Sequence, residues 1–137
     1  MIPRNWLLLL APLALGLCLE LGLCLETAAG ATSLEGVWSG SGMVTPKDGP
    51  RETVRCRLSY KQESETVFGL TATCATRSRK VQQTGKLLKV GPTSYVGDFY
   101  NPNYDISGRV RVVVRGSAQT VTFQSARGSG SVDLRKR

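Results

Sequence analysis

Thr53-Val54-Arg55-Cys56-Arg57-Leu58-Ser59-Tyr60-Lys61-Gln62 and, after a short polar break, Val67-Phe68-Gly69-Leu70-Thr71-Ala72-Thr73-Cys74-Ala75 decide how this chain folds. Successive side chains of a strand point to opposite faces, so hydropathy repeating every second residue marks a half-buried strand. Val54, Cys56, Leu58 and Tyr60 share one face of the first run, with Arg55, Arg57 and Ser59 on the other. Phe68, Leu70, Ala72 and Cys74 share a face of the second. An antiparallel hairpin that pairs Gln62 with Phe68 sets Tyr60 against Leu70, Leu58 against Ala72 and Cys56 against Cys74. Slipping by one residue turns all of these side chains outward. Slipping by two keeps them inward and still allows a diagonal bridge between the cysteines.

The same period runs through Ile106, Gly108, Val110, Val112 and Val114, opposite Ser107, Arg109, Arg111 and Arg115; Val113 breaks it. Short runs rich in Val, Thr, Tyr and Phe recur to the end of the chain, separated by turn clusters such as Pro46-Lys47-Asp48-Gly49-Pro50, Gly91-Pro92 and Asn101-Pro102-Asn103. The expected strands are Gly36–Thr45, Thr53–Gln62, Val67–Ala75, Val81–Val90, Ser94–Tyr100, Tyr104–Arg115, Gln119–Ser125 and Gly130–Arg135. No window keeps a helical period over three turns, so the fold class is all-β. Short connections favour an up-and-down antiparallel meander, closed or nearly closed into a small barrel; an open sandwich of the same strands is the alternative. Gly36, Gly40, Gly42, Gly69, Gly85, Gly97 and Gly108 suit tight curvature or bulges.

Residues 1–31 differ from the rest. Arg4 is followed by an uncharged run from Trp6 to Leu19, and Ala29-Gly30-Ala31 closes the segment with small residues. A basic start, an apolar middle and an A-x-A end read as a helical secretory signal peptide. The uncharged run is too short to cross a bilayer, and Glu20 and Glu26 interrupt its extension. The hexapeptide Leu15-Gly16-Leu17-Cys18-Leu19-Glu20 repeats at once as Leu21-Gly22-Leu23-Cys24-Leu25-Glu26, too short a unit to be structural. Leu17 and Leu23 stand where lipidation of Cys18 or Cys24 wants a small residue. Residues 32–137 are then a single exported β-barrel domain, periplasmic or secreted, with no transmembrane segment after cleavage, expected to be a monomer. In that compartment Cys56 and Cys74 most simply form one disulfide. A redox pair would be C-x-x-C, and a thiol nucleophile would want a histidine base.

The chain of 137 residues has no histidine and a formal net charge of +8. The missing imidazole removes Ser-His-Asp and Cys-His chemistry and histidine-ligated metal. Gly40-Ser41-Gly42 and Gly128-Ser129-Gly130 lack the lysine and following helix of phosphate loops. The sequence therefore predicts a binding protein rather than an enzyme, without cofactor or metal.

Gly36-Val37-Trp38 resembles the G-x-W feature of lipocalin-like barrels, in which the tryptophan plugs one end. Residues 32–137 are similar in length to the bacterial inhibitors of secreted metalloproteases, small lipocalin-like barrels with a signal peptide, an early G-x-W, one disulfide and a basic C-terminal end. Gly36 and Trp38, Cys56 with Cys74, and Val132 to Arg137 match those features. This resemblance implies an alternative function, inhibition of a secreted protease through Thr32-Ser33-Leu34-Glu35 and adjacent loops. A second resemblance spans most of residues 32–137. Trp38-Ser39-Gly40-Ser41-Gly42, Glu52-Thr53-Val54-Arg55-Cys56-Arg57-Leu58-Ser59-Tyr60 and Cys74-Ala75 match a W-S-G-x-G, E-x-x-R-C-R-x-x-Y and C-A pattern of small exported proteins of Gram-negative bacteria. It implies a family without implying a chemistry.

Two groups of residues are candidates for binding. Phe99, Tyr100, Asn101, Asn103 and Tyr104 gather aromatics and amides in one connection, which together with Trp38 suits a small apolar ligand or a protein partner. Asp98 and Asp105 flank this stretch, with no spacing that requires a catalytic pair. Arg77, Arg79 and Lys80 in one connection, and Arg109, Arg111 and Arg115 along one strand face, form a basic patch suited to an anionic envelope polymer. Nucleic acid is not expected, since aromatics do not interleave with these charges and the protein is read as exported.

Overall fold

Alternating faces need a common interior to converge on, and eight strands provide it. The computed structural model describes residues 33–137, so the leader assigned to residues 1–31 lies outside the described residues. The strands are β1 (Gly36–Pro46), β2 (Glu52–Gln62), β3 (Val67–Ala75), β4 (Lys80–Lys89), β5 (Ser94–Asn101), β6 (Ile106–Arg115), β7 (Ala118–Ser125) and β8 (Gly128–Lys136). Each pairs antiparallel with the next, and β8 returns to pair with β1, closing the barrel. Closure leaves no strand with an unpaired edge, which an open sandwich could not achieve. No helix among the described residues is long and apolar enough to cross a membrane.

Of the inward pairings the alternation allows, the β2–β3 register is the directly opposed one: Gln62 with Phe68, Tyr60 with Leu70, Leu58 with Ala72 and Cys56 with Cys74. The two cysteines form a disulfide. In β6, Val110, Val112 and Val114 are buried while Arg109, Arg111 and Arg115 are exposed. The strand begins at Ile106, later than the expected Tyr104, because residues 102–105 form a turn that ends with Asp105 at a φ of 52°. A non-glycine residue in the left-handed region stops strand geometry there.

Curvature is made where side chains are missing. A Cβ on Gly97 would strike the Lys86 carbonyl, and one on Gly85 would strike the Asp98 carbonyl, so β4 and β5 approach at a distance only glycine permits. Elsewhere aromatic rings fill the gap. Phe99 lies over Gly108 and Phe123 over Gly130, and the two rings meet edge to face with centroids 6.1 Å apart.

One end of the barrel is filled. Trp38 is fully buried and its indole Nε1 donates to the Leu34 carbonyl at 2.9 Å, while the Leu34 side chain is itself buried. Tyr60, Phe68, Leu87, Tyr95, Val112 and Leu134 complete this core, with Phe68 and Tyr95 edge to face at 5.3 Å. Tyr60 donates its hydroxyl proton to Gln119 Oε1 at 2.5 Å. Burial pushes the Tyr60 phenol far above the usual tyrosine range. Lys136 seals the end from outside: its Nζ donates to the Ser33 carbonyl at 2.6 Å and sits 5.7 Å from the Trp38 ring centre. Trp38 therefore plugs one end of the barrel.

The outward face of β2 presents Thr53, Arg55, Arg57, Ser59 and Lys61, all exposed. Charge along the outside of a strand is the reverse of the apolar outer band that a membrane-spanning barrel carries.

Candidate functional site

The other end of the barrel is open. Past the layer of Leu58, Leu70, Val110 and Val121 the interior widens into a cavity of about 280 Å³. Its wall is largely apolar, formed by Val44, Val54, Val81, Ile106, Phe99, Phe123 and the Cys56–Cys74 disulfide. The inward face of strand after strand supplies these residues, so the same period-two pattern that builds the core at one end lines a hollow at the other. The hollow exists because Gly108 and Gly130 leave the rings of Phe99 and Phe123 to occupy the wall, while Ala72 and Val81 are too small to fill the centre.

Polar groups gather at the rim. Glu52, Thr76, Ser78, Arg79, Tyr104 and Arg127 line the mouth. The β3–β4 turn (76–79) is fastened across it at two points. The Ser78 hydroxyl donates to the Glu52 carboxylate at 3.1 Å, and the Arg79 guanidinium lies 5.1 Å from the Tyr104 ring centre. On the far side, the β7–β8 turn is pinned where Lys47 N–H donates to the Arg127 carbonyl at 2.9 Å. Asn101, at the end of β5, is buried and lines the same cavity. Its Oδ1 accepts the N–H groups of Asn103 and Tyr104 at 2.9 and 3.3 Å, which fixes the side-chain amide in place.

Of the residues singled out from the sequence, the structure brings Phe99, Asn101, Tyr104 and Arg79 together around this cavity. It separates the others. Trp38 does not line the cavity, because it is packed into the filled end. Tyr100 points outward, since it alternates with Phe99 and Asn101, and its hydroxyl donates to Asp105 at 3.3 Å. Asn103 is exposed on the turn and reaches the site only through its backbone N–H.

The basic residues do not form one patch. Arg77, Arg79 and Lys80 sit at the mouth, whereas β6 runs away from it and carries Arg115 to the filled end. Arg109 lies 3.9 Å from Asp98 across β5 and β6, in a loose, exposed ion pair. Arg109 and Arg111 line a shallow polar depression on the outer face with Arg51 and Gln124. Sequence reading missed Arg127, Glu52 and Ser78 at the rim. Ser78 and Arg127 lie in hairpin turns and Glu52 starts a strand, places that carry no local signal; closure of β8 onto β1 brings Arg127 to the opening that Glu52 and Ser78 share.

Residues 33–35 are bound to the filled end. Besides the Leu34 and Ser33 contacts, the Glu35 carboxylate accepts the Gln62 N–H at 2.9 Å. A projecting N-terminal strand, which the inhibitor reading requires, is not what these residues form.

No family model matches the chain, and no curated protein matches it. Solved structures do. The chain is similar to a redesigned β barrel, mFAP1, bound to DFHBI, with a TM-score of 0.63 and 17% identity over 76% of this chain and 94% of that one. It is similar to a second redesigned barrel, mFAP0, also bound to DFHBI, with a TM-score of 0.62 and 17% identity over 76% and 98% of the two chains. A fluorescence-activating β barrel designed de novo matches with a TM-score of 0.59 and 17% identity over 75% of this chain and 93% of that one. At these identities the likeness is one of fold: a small closed β-barrel with strands in sequential order.

Proposed function

We propose that this protein is a non-enzymatic, exported barrel that holds one small, mostly apolar molecule in its lumen. The observation that carries this reading is the apolar cavity of about 280 Å³, open at one end of a barrel whose other end is filled. An apolar wall with a few placed polar groups is the usual make-up of a small-molecule site, and this volume falls just below the usual range of about 300–1,000 Å³, which suits a small guest. Two similar designed barrels are described with a bound small molecule, DFHBI, which accords with the same use of the fold. Export is supported by the reading of residues 1–31 and by the disulfide, since such bonds persist in oxidising compartments. Binding rather than catalysis is supported by the rim chemistry: among the described residues lining the cavity, Glu52 is the one carboxylate, and it is held by Ser78.

The test is a fluorescence titration with 2-naphthalenemethanol, a neutral probe small enough for the lumen, on the wild type and on Val81→Trp, which fills the cavity near its mouth. Saturable 1:1 binding that the substitution removes is the expected result. No saturable binding by the wild type, or equal binding by the filled variant, overturns the proposal. Native mass spectrometry of protein isolated from its own cells identifies the natural occupant.

A further inference from the structure

The two ends of the lumen differ in charge, and this polarity bears on what kind of molecule fits. At the filled end the cation packed against the Trp38 plug, Lys136, is already engaged by the Ser33 carbonyl and the Trp38 ring, while Arg115 is on the outward face of β6. At the mouth two arginines, Arg79 and Arg127, stand on different turns and both line the cavity. Among the described residues neither has a carboxylate within ion-pair distance; the ion pairs are Lys86 with Glu63 and Arg109 with Asp98. The rim carboxylate, Glu52, accepts the Ser78 hydroxyl, so it holds the turn that carries Arg79. Below the rim, Asn101 Oδ1 is occupied by two backbone N–H groups, which leaves its amide N–H donors for a guest.

From this arrangement we infer that the lumen selects amphipathic monoacids: small molecules with an apolar body and a single carboxylate, seated body first with the acid at the mouth between Arg79 and Arg127. This rests on the lumen being a ligand site. The apolar wall accounts for the body, because burying it removes apolar surface from water. The guanidinium pair accounts for the head. Arginine offers carboxylates a planar fork of donors, and hydrogen bonds to an ionised acceptor are about twice as strong as neutral ones. The Tyr104 ring under Arg79 holds that fork in place while leaving its edge donors free. A neutral molecule of the same shape gains the wall and forgoes the head, and a second carboxylate on the body would have to enter the apolar wall without a cation. Orientation follows too: a carboxylate driven to the filled end would lie among the buried side chains of Trp38, Leu87 and Val112, with no cation among them.

The experiment compares 2-naphthoate with 2-naphthalenemethanol, which differ in the acid and share the ring. Titrations are run at low salt and at about 1 M sodium chloride, where charge interactions are screened within about 3 Å. The expected result is naphthoate binding about tenfold tighter at low salt, a difference of about 1.4 kcal/mol, and losing most of that advantage at high salt. In the double variant Arg79→Gln, Arg127→Gln, both at exposed positions, the two probes should bind alike, because naphthoate loses about tenfold more affinity than naphthalenemethanol does. Equal affinity of acid and alcohol for the wild type, or an advantage that survives in the double variant, overturns the inference and leaves the ligand-binding reading standing. Failure of both probes to bind overturns both.

Discussion

Cys56 and Cys74 stand opposite each other on β2 and β3 with their Cα atoms 4.1 Å apart, and the bond between them is part of the cavity wall. It joins residues that already face each other in the ladder, so its main effect falls on the unfolded chain. Closing a loop across 18 residues removes conformational freedom worth about 3 kcal/mol. The double variant Cys56→Ser, Cys74→Ser should keep the barrel's far-ultraviolet circular dichroism and lose about that much unfolding free energy in urea. A loss below about 1 kcal/mol would show that the bond serves the cavity rather than stability.

Tyr60 and Gln119 form a buried polar pair whose members depend on each other. Gln119 Nε2 has no hydrogen-bond partner among the described residues, so the Tyr60 hydroxyl satisfies the one acceptor that is met. Tyr60→Phe leaves that oxygen buried without a donor and should cost about 1–3 kcal/mol. Tyr60→Phe with Gln119→Leu should recover much of the loss, because removing both polar groups leaves nothing unsatisfied. Chemical denaturation of the two single variants and the double variant closes the cycle.

The same phenol sets an alkaline limit. Burial raises the Tyr60 pKa above its ordinary value of 10.0, and Tyr95 shifts in the same direction for the same reason. The unfolded chain therefore releases these protons at lower pH than the folded one. Their contribution is complete below about pH 10 and is lost as pH rises beyond it. Melting temperature should fall above that point, and the fall should be shallower in Tyr60→Phe.

Leu34 caps the filled end although it lies before the first strand. It is 1% exposed, and its carbonyl takes the Trp38 indole proton. Leu34→Ala should cost about 2–5 kcal/mol through lost burial and the void it leaves. Tryptophan emission should move to the red as water reaches Trp38.

Glycine at β4 and β5 is a steric requirement. Gly97→Ala places a methyl group into the Lys86 carbonyl and should destabilise by about 1–3 kcal/mol, whereas Gly49→Ala meets only the Pro46 side chain at 3.8 Å and should be close to neutral. Equal thermal stability of the two variants would mean that β4 and β5 separate without cost.

Much of the fold could be read from single residues because strand alternation is a local property. Val54 to Tyr60 and Phe68 to Cys74 each declare a face, and the cysteines admit few registers that keep those faces inward. The expected boundaries of β2 and β3 differ from the observed ones by a residue at most. The β6 start was less legible, since Tyr104 suits a strand by type and only the left-handed Asp105 reveals the turn. The candidate site was legible in part. Phe99 and Asn101 lie on the inward period of β5; Tyr100 shares their composition but not their parity.

The order of residues along the chain was thus enough to mark most of the strands, their inward side chains and the cysteine pairing, and to narrow the β2–β3 register to pairings that keep the cysteines inward, all of which follow from periodicity and near neighbours. Three further facts needed the folded barrel: β8 pairs with β1, Trp38 and Leu34 fill one end while the other stays hollow, and Arg79 and Arg127 share a mouth. They depend on how far the strands curve and on which turns closure brings side by side. Residues remote in sequence become neighbours only once the sheet has joined its own edge.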